Sequence, residues 1–223
     1  MSWESTLLYY RFINEEVRAR LGGLHSAKVL LHSVDFAPIA RMQSEGRWDE
    51  AGALLAEEAV RLERGGADFV LLCTNTMHKV APAIEARLKV PLVHIADPTG
   101  EAIRERGILR VGLMATRFTM EESFYRDRLT SRFGLEVITP SHADRTRVHA
   151  TIYEELCLGR VRDASRDEYR RIASALIDSG AEGIIFGCTE IGMLLDANSC
   201  GKPVFDNLRL HVAAALDFAL GTS

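Results

Sequence analysis

Two short stretches, whose Cys-Thr pairs lie 115 residues apart, constrain this chain more than anything else in it: Leu71-Leu72-Cys73-Thr74-Asn75-Thr76 and Ile185-Phe186-Gly187-Cys188-Thr189-Glu190. Each is an apolar run that ends in Cys-Thr. Gly66-Ala67-Asp68 precedes the first and Gly180-Ala181-Glu182 the second. A helical pattern comes before each, over residues 57–64 and 170–179. A proline-bearing strand pattern follows each, at Val90-Pro91-Leu92-Val93 and Lys202-Pro203-Val204-Phe205. The chain therefore reads as a duplicated helix–Gly–strand–Cys unit.

A buried strand that stops at Cys-Thr before a helix places its thiol at the carboxyl edge of a parallel sheet. Ligands of open α/β sheets bind at that edge. A following helix N-terminus is expected to lower the thiol pKa. Two such units facing each other would bring two ionisable sulfurs to one cleft.

The rest of the chain fits this plan. Its 223 residues allow one large or two small domains. An apolar fraction of 47% and a charged fraction of 26% are those of a globular protein. A net charge of −4 gives no footprint for nucleic acid or an anionic membrane. No apolar run approaches the ~20 residues of a membrane span, and no secretory signal is legible. Cys73, Cys157, Cys188 and Cys200 form no CxxC and no disulfide scaffold. Free thiols in a reducing cytoplasm are expected, with no bound metal.

Apolar periodicity predicts helices over 3–21, 48–64, 77–88, 99–106, 121–133, 144–158, 165–179 and 208–220, and a short helix from Glu190. Ser165 with Glu168 reads as a capping box. Strands are expected over 28–32, 69–73, 92–95, 110–114, 135–138, 183–187 and 203–206. The alternation predicts an α/β fold with parallel sheets. A break between halves is expected near 96–100.

There is no GxGxxG, GxxxxGK[ST] or GxSxG. Nucleotide binding and serine hydrolysis lose support accordingly. A lone Cys after a strand is commonly a small core residue. Two at matching positions suit proton transfer at one carbon from opposite sides, which is racemisation or epimerisation. Thr74, Thr76 and Thr189 read as helix caps, as groups that hold a carboxylate with first-turn N–H donors, or as both. Thr116 and Thr119 read alike. Glu190 is either a surface first-turn acid or a group that orients a substrate ammonium. His78 reads as a helix-face residue, and His32, His94 and His211 as structural histidines.

The paired motifs Cys73-Thr74-Asn75-Thr76 and Gly187-Cys188-Thr189-Glu190 resemble the two signatures of the aspartate/glutamate racemase family. Met1-Ser2-Trp3-Glu4-Ser5-Thr6 resembles that family's N-terminal loop, and Ala115-Thr116-Arg117-Phe118-Thr119 its second threonine-bearing loop. The resemblance covers nearly the whole chain. It implies two pseudo-symmetric α/β domains with the active site in the cleft between them. Residues 1–97 with 203–223 would form the first and 98–202 the second.

The resemblance also implies a pyridoxal-independent amino-acid racemase that uses no cofactor and works as a homodimer. Cys73 and Cys188 would be the acid/base pair. Trp3, Asn75, Thr76, Thr116 and Thr119 would bind substrate, the last four at its carboxylate, with Thr189 and Glu190 near its ammonium. Three departures stand out. A strand and Gly-Gly turn usual in the family ahead of Met1 are not in this sequence, and in-frame coding upstream is expected. Cys157 stands where acid-specific members carry a lysine, and Arg41 is not in clear register with their arginine. The last two favour a broad-specificity branch. The alternatives are cysteine-dependent isomerisation or decarboxylation of a small dicarboxylate, or a non-catalytic amino-acid-binding protein.

Overall fold

The computed structural model describes residues 1–221. They fall into two compact units, Met1–His94 with the chain from Val212, and Ile95–His211. Each is an α/β unit with a parallel sheet and flanking helices.

In the first unit, α1 (Trp3–Leu21) starts at Ser2, whose hydroxyl accepts the Ser5 N–H, and stops at Gly22. Its buried face is Ser5, Tyr9, Ile13 and Val17, the four-residue spacing of one helical stripe. Helix α2 (Phe36–Glu45), capped by Asp35, was not legible in the apolar pattern. Helix α3 (Trp48–Arg64) carries Asp49 and Glu50 in its first turn and Arg61 and Arg64 in its last, each sign suited to the helix dipole. Strands β1 (Val70–Leu71) and β2 (Leu92–Val93) pair in parallel. Between them lie a 3-10 turn (Thr76–Val80) and α4 (Ala81–Glu85). Ile39, Ala51, Leu55, Met77 and Ile84 are among the residues that close the core.

Two expectations fail in this unit. Residues 28–32 form no strand, and Leu30 and Leu31 are 50% and 51% exposed. An apolar run becomes a strand only where a neighbouring ladder takes its backbone groups. The ladder here joins β1 to β2 and does not reach residues 28–32. The helix expected over 77–88 is a 3-10 turn followed by one short helix. Pro82 in its opening turn has no N–H to continue a ladder from the preceding residues.

The second unit holds a four-stranded parallel sheet in the order β4-β3-β5-β6: β3 (Arg110–Ala115), β4 (Glu136–Ile138), β5 (Gly183–Gly187) and β6 (Val204–Asp206). All five residues of β5 are buried, as in a sheet covered on both faces. Ile184, Ile185 and Phe186 each contribute roughly 1.5–3 kcal/mol through that burial. The sheet is wrapped by α5 (Ala96–Glu105), α6 (Arg117–Glu121), α7 (Ser123–Phe133), α8 (His142–Glu154) and α9 (Asp163–Asp178). Helix α10 (Asn207–Leu220) follows β6.

Several boundaries depart from the sequence reading. Strand β6 pairs with β5, so it belongs to the second unit's sheet and not, as expected, to the first unit. The break falls at His94–Ile95, and residues 96–100 open α5 instead of forming a junction. The helix expected over 121–133 begins at Ser123, because Glu122 is extended, and the separate short helix α6 precedes it. Ser165 is no cap: α9 begins two residues earlier, and the Ser165 hydroxyl donates to Glu155 Oε2 at 2.7 Å.

Gly187 sets how closely β5 approaches β3. A Cβ there would lie 2.6 Å from Leu113 Cδ1 and 2.9 Å from Ala115 Cβ. Both neighbours are fully buried and have no room to withdraw. Gly187→Ala is expected to cost about 1–3 kcal/mol by overpacking, read as a lower melting temperature. An unchanged melting temperature contradicts this packing.

Candidate active site

Each unit carries a thiol just past the end of one strand. In the first, Cys73 is half-buried just beyond β1. Its carbonyl accepts from the Met1 amino group at 3.1 Å and from the Ser5 hydroxyl at 3.4 Å. The Thr74 N–H donates to Leu72 O at 2.7 Å, folding the chain tightly at the sulfur. Asn75 and Thr76 follow, both buried. His78 is buried too, with Nδ1 2.7 Å from Thr74 O, so Nδ1 carries the hydrogen. Its ring meets that of buried His94 edge-on at 4.3 Å. His78 therefore braces the Cys-Thr turn from inside and does not lie on an exposed helix face. Trp3 is 61% exposed at the start of α1.

In the second unit, Cys188 directly follows β5 and is 7% exposed. Its thiol donates to Glu190 Oε2 at 3.0 Å, and the Thr189 hydroxyl donates to the same oxygen at 2.7 Å. The other oxygen, Oε1, lies 3.8 Å from Cys157 Sγ. Glu190 is thus not a surface acid but a buried carboxylate shared by two thiols and a hydroxyl.

At the neighbouring strand end, Thr116 caps α6. Its Oγ1 accepts the Thr119 N–H at 3.4 Å and lies 3.2 Å from Thr119 Oγ1. Both threonines are buried. The next residue, Arg117, donates its backbone N–H to His149 Nδ1 at 3.2 Å. His149 stacks at a tilt on Tyr153 at 4.7 Å and meets Phe118 edge-on at 5.7 Å. His149, Tyr153 and Cys157 recur every four residues, the spacing that puts side chains on one side of a helix. That stripe was the available sign of the second unit's site, and sequence reasoning passed over His149 and Tyr153.

Of the structural histidines, His94 and His211 are buried as expected. His32 is exposed instead and pairs with Glu58 at 2.8 Å. Arg41 is exposed on α2.

The electrostatics reverse one expectation. Burial pushes the Cys73 thiol up to about 12, against the opposing pull of the N-terminal ammonium. Burial also drives Cys188 well above its ordinary value, with the negative charge of Glu190 next and Cys157 after it. Desolvation outweighs any short helix N-terminus, and both thiols rest protonated. Burial, then Arg117, lowers His149, which fits a neutral ring with Nδ1 as acceptor. Among the described residues no cluster of three or more His, Cys, Asp or Glu is placed to hold a metal ion. No described helix is long and apolar enough to cross a membrane.

Residues 1–215 match the family model described as Asp/Glu/Hydantoin racemase. The chain belongs to that family. A crystal structure of a candidate Asp/Glu racemase from Yersinia pestis is 53% identical, with 98% of this chain and 95% of that chain covered and a TM-score of 0.89. An aspartate racemase homologue from Pyrococcus horikoshii OT3 is 30% identical, with 97% and 94% covered and a TM-score of 0.83. The broad specificity amino-acid racemase RacX of Bacillus subtilis (strain 168) is 27% identical over 161 residues, 71% of this chain and 68% of that protein. The protein is accordingly an isomerase of the amino-acid racemase type.

Thiolates, not thiols, react with iodoacetamide. Glu190→Gln removes the negative charge beside Cys188 and so favours its thiolate. Alkylation of Cys188, followed by peptide mass spectrometry, is expected to set in at lower pH in this variant than in the parent protein. An onset at the same or higher pH contradicts the contact.

Proposed function

We propose that the protein racemises a free α-amino acid without a cofactor, with Cys73 and Cys188 as its two proton-transfer groups. One sulfur, as thiolate, takes the Cα proton. The other, as thiol, returns a proton to the opposite face of the carbanion. The observation that carries this reading is the duplication: each unit ends a strand in Cys-Thr, and each thiol is held as a stored proton by burial.

A two-base reaction needs one of the pair ionised when substrate is bound. The substrate ammonium supplies a positive charge, and an opposite charge nearby favours the thiolate. The carboxylate falls to the buried Asn75, Thr76, Thr116 and Thr119, whose side-chain amide and hydroxyls can donate hydrogen bonds to it. Thr189 stays near the ammonium, and Trp3 borders the site. Glu190 shifts in role, because its oxygens already face Cys188, Thr189 and Cys157. It acts through Cys188, not on the ammonium.

The substrate is aspartate, glutamate or a wider set that includes them. Cys157, where a cation is expected in acid-specific relatives, supports the wider set, as does the similarity to a broad-specificity racemase. The enzyme works as a cytoplasmic homodimer in this reading. The four free cysteines agree with a reducing compartment.

The test is a panel of single L- and D-amino acids incubated with purified protein and resolved by chiral chromatography. At least one amino acid is expected to racemise. Cys73→Ser and Cys188→Ser are each expected to slow it by on the order of 10²–10⁴-fold, the usual contribution of a general acid or base. Full activity in both variants, or no racemisation of any amino acid by the parent protein, refutes the proposal.

A further inference from the structure

Racemisation leaves the two thiols with their protons exchanged, one gained and one lost. The next turnover in the same direction requires both to be reset. Cys188 is buried at 7% exposure and its thiol points at a carboxylate, so its proton needs a route. Around Glu190, Cys188 and Thr189 lie within hydrogen-bond reach of Oε2, and Cys157 lies 3.8 Å from Oε1. Cys157 is half-buried, in the 3-10 turn Leu156–Leu158 that follows α8. One carboxylate thus separates a buried thiol from a more exposed one.

We propose that Glu190 and Cys157 form a proton relay that restores the protonation state of Cys188 between turnovers. The inference rests on the reading of Cys188 as a proton-transfer group. After Cys188 has given its proton to Cα, the Cys157 S–H bond breaks and an O–H bond forms at Glu190 Oε1. A half-turn of the carboxyl about Cγ–Cδ carries that hydrogen to the Cys188 side. The O–H bond breaks and the Cys188 S–H bond forms. The Cys157 thiolate then takes a proton from water or a dissolved general acid. When the reaction runs the other way, the same steps reverse and a proton leaves.

The neighbouring phenols do not serve as carriers. Burial raises both Tyr153 and Tyr169 far above neutrality, and the charges of Cys157 and Cys188 raise them further. The Tyr169 hydroxyl is also committed to Val148 O at 2.9 Å. Cys157 and Glu190 are positioning residues in this scheme, since neither touches the reacting carbon.

Resetting of the free enzyme limits kcat but does not enter kcat/KM. The test is steady-state kinetics in both directions on the amino acid that the parent protein turns over. Cys157→Ala is expected to lower kcat by about tenfold or more with kcat/KM changed less than about twofold. Product inhibition is expected to turn from competitive to noncompetitive, and small general acids such as imidazolium to restore part of kcat. Cys157→Ser keeps a hydroxyl able to pass a proton and is expected to lie between the two. A kcat within about twofold of the parent's in Cys157→Ala overturns the relay, as does a parallel fall of kcat and kcat/KM in both variants. A parent protein without racemase activity refutes the reading of Cys188 and the relay with it. An active parent with unaltered Cys157→Ala kinetics refutes the relay alone.

Discussion

Taking a sulfur out of water penalises its charge, and the site depends on that penalty. Cys188 sits where a five-residue buried strand ends; desolvation raises its pKa most, and the negative charge of Glu190 adds to it. Cys73 is driven the same way by burial. In the proposed reaction, a thiol so placed keeps its proton until the ammonium of the substrate arrives. Packing therefore serves chemistry directly. Gly187 lets β5 lie against β3, β5 ends there, just before Cys188, and the short turn after it folds Glu190 back onto the sulfur.

The fold was legible where apolar periodicity was long and its ends were marked. Helices α1 and α3 have the predicted bounds, because Ser2 and Gly22 mark the limits of one and Gly65 the end of the other. The central strands β3 and β5 were legible because both are buried along nearly their whole length. Failures occur where a local pattern needed a distant partner. Val29, Leu30 and Leu31 are as apolar as a strand, but pairing is a property of the sheet and not of the run. Strand β6 went to the second unit for the same reason: its ladder to β5 is invisible in its own residues. Ser165 had the residue type of a cap, yet Glu155, ten positions earlier, is its partner.

The candidate site was legible to the extent that it is duplicated. Cys73 and Cys188 stood out because the chain states the same arrangement twice, and the family match spans both halves. Thr116 was read as a cap and is one. What a linear reading lacked was the third dimension of the second unit. Cys157 comes to Glu190 across 33 residues, and His149 meets Arg117 across 32. The thiol pKa values were expected to fall and instead rise. Helix N-termini are visible in a sequence, whereas the depth of burial that outweighs them is not.

The central claim is that two thiols, one for each face, share one carbon acid. Its most direct measurement is the location of deuterium during the first few per cent of reaction from a single enantiomer in D₂O. Two monoprotic groups predict product labelled at Cα while the remaining substrate is still unlabelled. Equal labelling of both enantiomers from the outset, or product that keeps its original hydrogen, would contradict the account.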